Sequence, residues 1–255
     1  MSVRAKKHLG QHFLNDTNIA EKIVNSLTWK NYSQVLEIGP GMGVLTQFLL
    51  AQKSKISVVE IDQESIDYLN DKYNSIRQEL PIFNQDFLKM DLSNDFEEEF
   101  AVIGNFPYNI SSQILFKVVE NKSLIPEVVG MFQKEVAERV AAPHGNKTYG
   151  VISVLIQAYY KVDYLFTVDP QVFTPPPKVK SGVIRLSRYR ESLDVSDKKF
   201  RQIVKAGFSQ RRKTLRNALK TLGIPENHKD HVFFSMRAEQ LSVEDFFELT
   251  KMMTE

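Results

Sequence analysis

Between Gln34 and Ser111 the chain repeats one pattern: a short apolar run, a turn, then a segment with helical spacing. "QVLEI" leads into "GPGMGVLTQFLLAQ", "KISVVEID" into "SIDYLNDKY", and "FAVIGN" into "SQILFKVVEN". A third run, "LPIFNQDFLKM", reads as a strand ending near Asp86. Further on, "IPEVVGMF" precedes the helical "QKEVAERVAA", "GVISVLIQAYYKVDYLFTV" passes from helix to strand, and "SGVIRLSRY" closes the series. Runs this short and this uniformly apolar are strands buried on both faces. Their alternation with helices predicts a mostly parallel, Rossmann-like α/β sheet with helices on both faces. Before it, residues 16–28 place Ile19, Ile23, Val24 and Leu27 at helical spacing behind an Asp16 cap.

The strand signal stops after about Glu191, and "SDKKFRQIVKAGFSQRRKTLRNALKTLGIP" and "LSVEDFFELTKMM" read as helices. A boundary near residue 190 is therefore expected, with a sheet domain over 1–190 and a small all-helical domain over 191–255. Just before it, three consecutive prolines in "FTPPPKVKSG" impose a stiff, extended loop. Charge divides along the same line. From Lys178 onward there are 17 Lys+Arg against 10 Asp+Glu, whereas the first 177 residues carry 16 against 21. A basic tail domain on an acidic body suggests a phosphate-bearing partner. The absence of cysteine excludes disulfides and thiolate metal sites, and no metal is expected. No run is long enough to span a bilayer and no export signal is visible, so a cytoplasmic protein without membrane attachment is expected.

The turn "EIGPGMG", Glu37 to Gly43, sits between strand and helix, where a ligand can approach the backbone closely. Its E-x-G-x-G-x-G spacing departs from the dinucleotide fingerprint and favours a nucleoside cofactor with no pyrophosphate to cradle. Glu60 ends the next strand, 21 residues after Gly39, where a carboxylate accepts from ribose hydroxyls. Asp86 is placed to accept from an adenine amino group. Gly39, Gly41, Glu60 and Asp86 together point to S-adenosylmethionine.

The fourth strand ends in "NFPYNIS". An exocyclic aromatic amine is a poor nucleophile because its lone pair is delocalised into the ring. If the Asn105 side-chain oxygen and the Phe106 carbonyl each accept one N–H, the nitrogen turns tetrahedral and its lone pair becomes available. Pro107 would keep the carbonyl aimed, and Tyr108 offers a face on which a base stacks. Catalysis of that kind is positioning plus electrostatics.

The order E-x-G-x-G-x-G, acidic strand end, Asp, N-x-P-Y resembles the class I S-adenosylmethionine-dependent N6-adenine methyltransferases. "KKHLGQHFL", "VFTPPPKVKSGVIRL", "FSQRRKTLRN" and "MRAEQLSVEDF" narrow the resemblance to the small-subunit ribosomal RNA adenine dimethyltransferases, over nearly the whole chain. That resemblance implies cofactor contacts at His12, Leu14, Gly39, Glu60, Asp86 and Asn105, with His12 standing where many members have asparagine. It implies that only the carbonyl of Phe106 matters, and that Phe173, from the proline-rich loop, stacks on the target base. The implied substrate is a pair of adjacent adenines in the 3′-terminal hairpin loop of 16S rRNA. Each receives two methyl groups on an immature small ribosomal subunit, from an enzyme acting as a monomer. Residues 198–220 hold nine Lys+Arg and no acid, so Arg211, Arg212, Lys213 and Arg216 are expected to meet phosphate, with Lys6 and Lys7 as a second contact. The rivals are a large-subunit rRNA methyltransferase, a DNA adenine methyltransferase, and an assembly factor that has kept the fold without catalysis.

Overall fold

A computed structural model describes residues 3–74 and 80–254. Its strands are β1 (Phe13–Leu14), β2 (Gln34–Ile38), β3 (Lys55–Glu60), β4 (Ile82–Asn84), β5 (Phe100–Asn105), β6 (Glu127–Gln133), β7 (Tyr160–Val168), β8 (Phe173–Thr174) and β9 (Ser181–Arg188). Seven of them form one sheet in the order β4-β3-β2-β5-β6-β9-β7, while β1 and β8 pair separately. The pairs β4–β3, β3–β2, β2–β5 and β5–β6 are parallel, and β9 runs antiparallel to β6. Strand order reverses at β2, which lies between β3 and β5, and so the carboxyl ends of β2 and β5 flank the crevice where open α/β sheets bind ligands. The expected mostly parallel sheet is the one observed. Its central strands are buried because their sequences leave no polar face: Phe100 to Ile103 are all fully buried.

The α-helices are α1 (Thr17–Val24), α2 (Thr46–Leu49), α3 (Gln63–Asn74), α4 (Leu92–Asp95), α5 (Ser111–Glu120), α6 (Lys134–Ala141), α7 (Val151–Gln157), α8 (Asp197–Ser209), α9 (Leu215–Ala218) and α10 (Val243–Met252). Asp16 caps α1 by accepting from the N–H groups of Asn18 and Ile19 at 2.9 and 3.0 Å. Ala20, Ile23 and Val24 carry the helix onto a core that also takes Leu27, Val35, Ile103 and Val129. The loop after α1 is held by a buried carboxylate: Glu127 accepts from Thr28 N–H, Thr28 Oγ1 and Tyr32 OH at 3.0, 2.9 and 2.6 Å.

By contact density the chain divides into two compact units, residues 1–137 with 162–188, and residues 138–161 with 189–255. One of the three crossings falls beside residue 190, but the second unit also claims α7 and its flanks. Within it the Phe200 ring lies 4.9 Å from that of Phe247 at a 38° tilt, and Phe208 lies 5.8 Å from Phe246 and 6.0 Å from Tyr149. Ser242 and Asp245 cap α10 reciprocally: Asp245 N–H donates to Ser242 Oγ, and Ser242 N–H to Asp245 Oδ2, at 3.1 and 2.8 Å.

Three local readings need correction. The third strand ends at Asn84, and Asp86 instead accepts from Leu88 N–H at 2.9 Å, starting the 3-10 turn Phe87–Lys89. The proline-rich segment is not wholly loop, because Phe173 and Thr174 pair with Leu14 and Phe13. The basic stretch is not continuous helix: α8 stops at Ser209, and Arg211–Lys213 form a turn before α9.

Candidate active site

The ends of β2, β3 and β5 and the turn after β4 surround an open cleft of about 230 Å³. Gly39, Gly41, Glu60, Asp86 and Asn105 all line it, which gathers the residues after β2 and β4 and the last residues of β3 and β5 at one edge. Gly41 adopts φ 56°, and a Cβ there would stand 2.8 Å from the Phe13 ring. Left-handed backbone and close packing together leave glycine as the residue that fits.

Glu60 is 6% exposed, and burial lifts its pKa against the pull of three backbone donors. Its Oε2 accepts from Gly41 N–H at 3.2 Å, and its Oε1 from Ile61 and Asp62 N–H at 2.8 and 2.9 Å. The carboxylate thus bridges the glycine turn and the end of β3. Between Glu60 and Asp62, Ile61 presents an aliphatic side chain that is 53% exposed and lines the cleft. Sequence reasoning missed it. Its signal was position: an apolar residue directly after an acidic strand end, outside the buried run.

Beneath the turn lies Glu37, fully buried, with one oxygen accepting from Thr46 Oγ1 at 2.6 Å and the other without a partner among the described residues. Desolvation, opposed by the Thr46 hydrogen bond and aided by the charge of Glu60, raises its pKa to about 8.

At the corner, Asn105 Nδ2 donates to the His12 carbonyl at 2.8 Å. A carbonyl can only accept, so this bond fixes which way the amide points and leaves Oδ1 for an incoming N–H. Phe106 sends its N–H to the Met131 carbonyl at 3.1 Å. Its ring is 1% exposed and lies against Gly104 and Gly130, where added Cβ atoms would approach to 2.7 and 2.1 Å. These two glycines face each other in register across β5 and β6. The ring is therefore a packed anchor for the carbonyl, which corrects the expectation that the Phe106 side chain is immaterial. Pro107 and Tyr108 offer their carbonyls to Ser111 Oγ at 3.0 and 3.3 Å, tying the corner to the first turn of α5. Tyr108 OH shares a 2.5 Å hydrogen bond with the buried Ser181 Oγ, and its ring lies 5.5 Å from that of His12.

His12 Nδ1 faces the Pro175 carbonyl at 2.7 Å, an acceptor that places the proton on Nδ1. Leu14 is buried at the β1–β8 pair, so its side chain belongs to the core, and it is not among the residues that line the cleft. Phe173 departs from expectation. It is 2% exposed and packs in the same core, so its ring is an anchor and is not presented to a base. Lys6 also has another partner: its ammonium pairs with Asp62 and, at 3.1 Å, with Glu64. Lys7 is exposed.

In the second unit, Arg211 donates to the carbonyls of Lys147 and, at 2.8 Å, Tyr149. Arg216 donates to the Lys229 carbonyl at 2.5 Å and lies 4.0 Å from Asp230. Both act as internal ties. Arg212 and Lys213, between them, are exposed and without a side-chain partner among the described residues.

A sheet of this order with an acceptor-lined nucleoside cleft at its carboxyl edge defines a class I S-adenosylmethionine-dependent methyltransferase, and the residues fit that cofactor. Glu60 and Asp86 supply acceptors for hydroxyl and amino groups, Ile61 an apolar face, and Gly39 a backbone where an added Cβ would meet nothing within 4 Å. A family model described as ribosomal RNA adenine dimethylase matches residues 2–255. The chain is 59% identical to ribosomal RNA small subunit methyltransferase A of Cytophaga hutchinsonii, over 99% of this chain and 98% of the relative. It is 53% identical to the protein of the same name from Flavobacterium johnsoniae, over 98% and 95%. A dimethyladenosine transferase from Plasmodium falciparum superposes with a TM-score of 0.81 at 27% identity, covering 93% of this chain and 96% of the other. The chain belongs to the ribosomal RNA adenine dimethylase family.

Proposed function

We propose that the protein dimethylates the N6 amines of two adjacent adenines in the 3′-terminal hairpin loop of 16S rRNA, on an immature small ribosomal subunit, as a cytoplasmic monomer. The relatives' small-subunit names support the target. The observation that carries the chemistry is the hydrogen bond from Asn105 Nδ2 to His12 O, which leaves Oδ1 as the outward acceptor.

When bound, S-adenosylmethionine supplies an electrophilic methyl group on a sulfonium. Asn105 Oδ1 and the Phe106 carbonyl each accept one N–H of the adenine amine, drawing the nitrogen out of conjugation so that its lone pair becomes nucleophilic. The acceptors are set before the base arrives, because the amide is tied to the His12 carbonyl just before β1 and the Phe106 ring is wedged on paired glycines. Tyr108, fixed at its hydroxyl by Ser181, stacks on the base and sets the ring plane. After one transfer a single N–H remains, so one acceptor suffices for the second. The cationic product nitrogen loses its proton readily to solvent.

Arg212 and Lys213 meet RNA phosphates, and Lys7 is a further contact. Arg211, Arg216 and Lys6 contribute mainly by holding their own loops. The test is transfer of labelled methyl to small subunits lacking these methyl groups, with large subunits and DNA as controls. Dimethyladenosine in the 3′-terminal hairpin is the expected product. Label confined to large subunits or DNA would refute the assignment.

A further inference from the structure

Residues 6–12 form a strap along one side of the cleft, which His8, Leu9, Gly10, Gln11 and His12 help to line. The two ends of the strap are fastened to different parts of the site. At the far end, the His12 carbonyl takes the Asn105 amide. At the near end everything converges on Asp62, which is 2% exposed. Its Oδ1 pairs with the Lys6 ammonium, and its Oδ2 accepts from Gln11 Nε2 at 3.1 Å. Gln11 in turn takes Lys6 N–H on Oε1 at 2.8 Å, closing the strap on itself. Asp62 also accepts from Ser65 Oγ at 3.2 Å and from Glu64 N–H at 3.3 Å at the start of α3. Finally, its own N–H donates to Glu60 Oε1 at 2.9 Å.

One buried carboxylate therefore connects the residue that faces the ribose to the strap that orients the catalytic amide. Burial raises the Asp62 pKa, but the Lys6 ammonium and the Gln11 and Ser65 donors outweigh it and hold the group below the usual carboxylate range. A buried charge with four side-chain and backbone donors is well compensated, and loss of the strap would leave it short of two of them.

We propose that Asp62 is a positioning residue: it latches the strap to the cofactor edge, so that occupation of the nucleoside cleft and alignment of Asn105 are coupled. A ligand seated on Glu60 and Ile61 stabilises the turn that presents Asp62, and a formed latch in turn walls the ligand in. By reciprocity, releasing the strap weakens the ligand by the same factor that ligand binding protects the strap. Asp62 touches neither the cofactor nor the base in this scheme, and acts through Gln11 and His12.

The inference rests on the cofactor cleft and not on which RNA is methylated. Its test uses no RNA, so its failure leaves the small-subunit assignment standing. S-adenosylhomocysteine binding to the full chain is measured by calorimetry, and strap release by the rate of tryptic cleavage after Lys7. Asp62→Asn should weaken binding about tenfold and abolish the protection from cleavage that the ligand gives the wild type. The pair Lys6→Met and Gln11→Leu cuts the latch from the strap side without touching the buried acid, and should weaken binding similarly. Adding Asp62→Asn to that pair should cost little more, because all three changes remove one device. Ser65→Ala removes only the helix-side contact and should bind within twofold of wild type. The latch is overturned if the Lys6/Gln11 pair binds within twofold of wild type, if ligand protects the strap equally in Asp62→Asn, or if Ser65→Ala reproduces the whole effect.

Discussion

Asn105 carries two obligations with one side chain, since its Nδ2 donates to His12 while Oδ1 is held for the substrate amine. Alanine removes both, so Asn105→Ala should lower single-turnover methyl transfer by about 10²- to 10³-fold, the cost of losing one preorganised polar partner in a catalytic site. S-adenosylhomocysteine affinity, measured alongside by calorimetry, should change far less, because Glu60, Ile61 and Asp86 remain. Persistent transfer would remove amine polarisation from the mechanism. Glu37 presents a different single-residue problem, a carboxyl fully buried with an unpartnered oxygen and a pKa near 8 against an ordinary 4.5. Here the folded state holds the proton more tightly than the unfolded chain. Stability from this group is therefore complete below about pH 4.5 and falls as pH rises toward 8, by up to about 1.4 kcal/mol per unit. Glu37→Gln cannot release a proton. Urea unfolding at pH 5, 6, 7 and 8 should show the variant gaining on the wild type at each step, and parallel curves would show that Glu37 is ionised in the fold.

At the scale of elements, the strands were legible because a parallel strand must be apolar on both faces, and "FAVIG" is a short run with no polar residue in it. The same runs exposed their own ends, which is why Glu60 and Asn105 could be placed at one edge before any fold was known, whereas Asp86 lies two residues past the end of its strand. Pairings across long separations were not legible. Lys6 and Asp62 are 56 residues apart, and nothing local in "RAKKH" distinguishes an ion pair from a phosphate contact. Phe173 is similar: in a two-residue strand, alternation is too short to say which ring faces the core. The turn after α8 and the start of α9 show the same limit, since Arg211, Arg212, Lys213 and Arg216 look alike in sequence yet Arg211 and Arg216 are occupied by carbonyls. That distinction predicts divergent phenotypes. Arg212→Glu with Lys213→Glu should weaken small-subunit binding and flatten its log–log salt dependence by about 2, while leaving the unfolding midpoint in place. Arg211→Ala should instead lower stability by about 1 kcal/mol, read by urea unfolding, as the Lys147 and Tyr149 carbonyls lose their donor. If Arg211→Ala alone reproduces the binding defect with full stability, the ties seen here are not its main role.

For the molecule as a whole, the path of the chain matters more than the position of any one boundary. It passes between the two compact units after residues 137, 161 and 188, so the second unit is built from two separate stretches. A cut at residue 190 would keep α7 with its buried Ile152, Val154, Leu155 and Ile156, and remove α8, on which α7 packs. It would also strip the Tyr149 ring of Phe208 and the Lys147 and Tyr149 carbonyls of Arg211. Each large apolar side chain returned to water costs about 1.5–3 kcal/mol, and a domain has only about 5–15 kcal/mol in total. A fragment of residues 1–190 should therefore bind a hydrophobic dye and unfold over a broad, shallow urea transition, whereas the intact chain gives a steep one. Residues 1–137 contribute every side chain and backbone group that lines the nucleoside cleft, so the fragment should also show S-adenosylhomocysteine binding that is weakened in proportion to its unfolded fraction and recovers when osmolyte drives folding. A fragment that melts as sharply as the intact chain, with undiminished ligand affinity, would mean that residues 138–161 are stable without the C-terminal helices. The single cut near residue 190 would then describe how the protein is assembled.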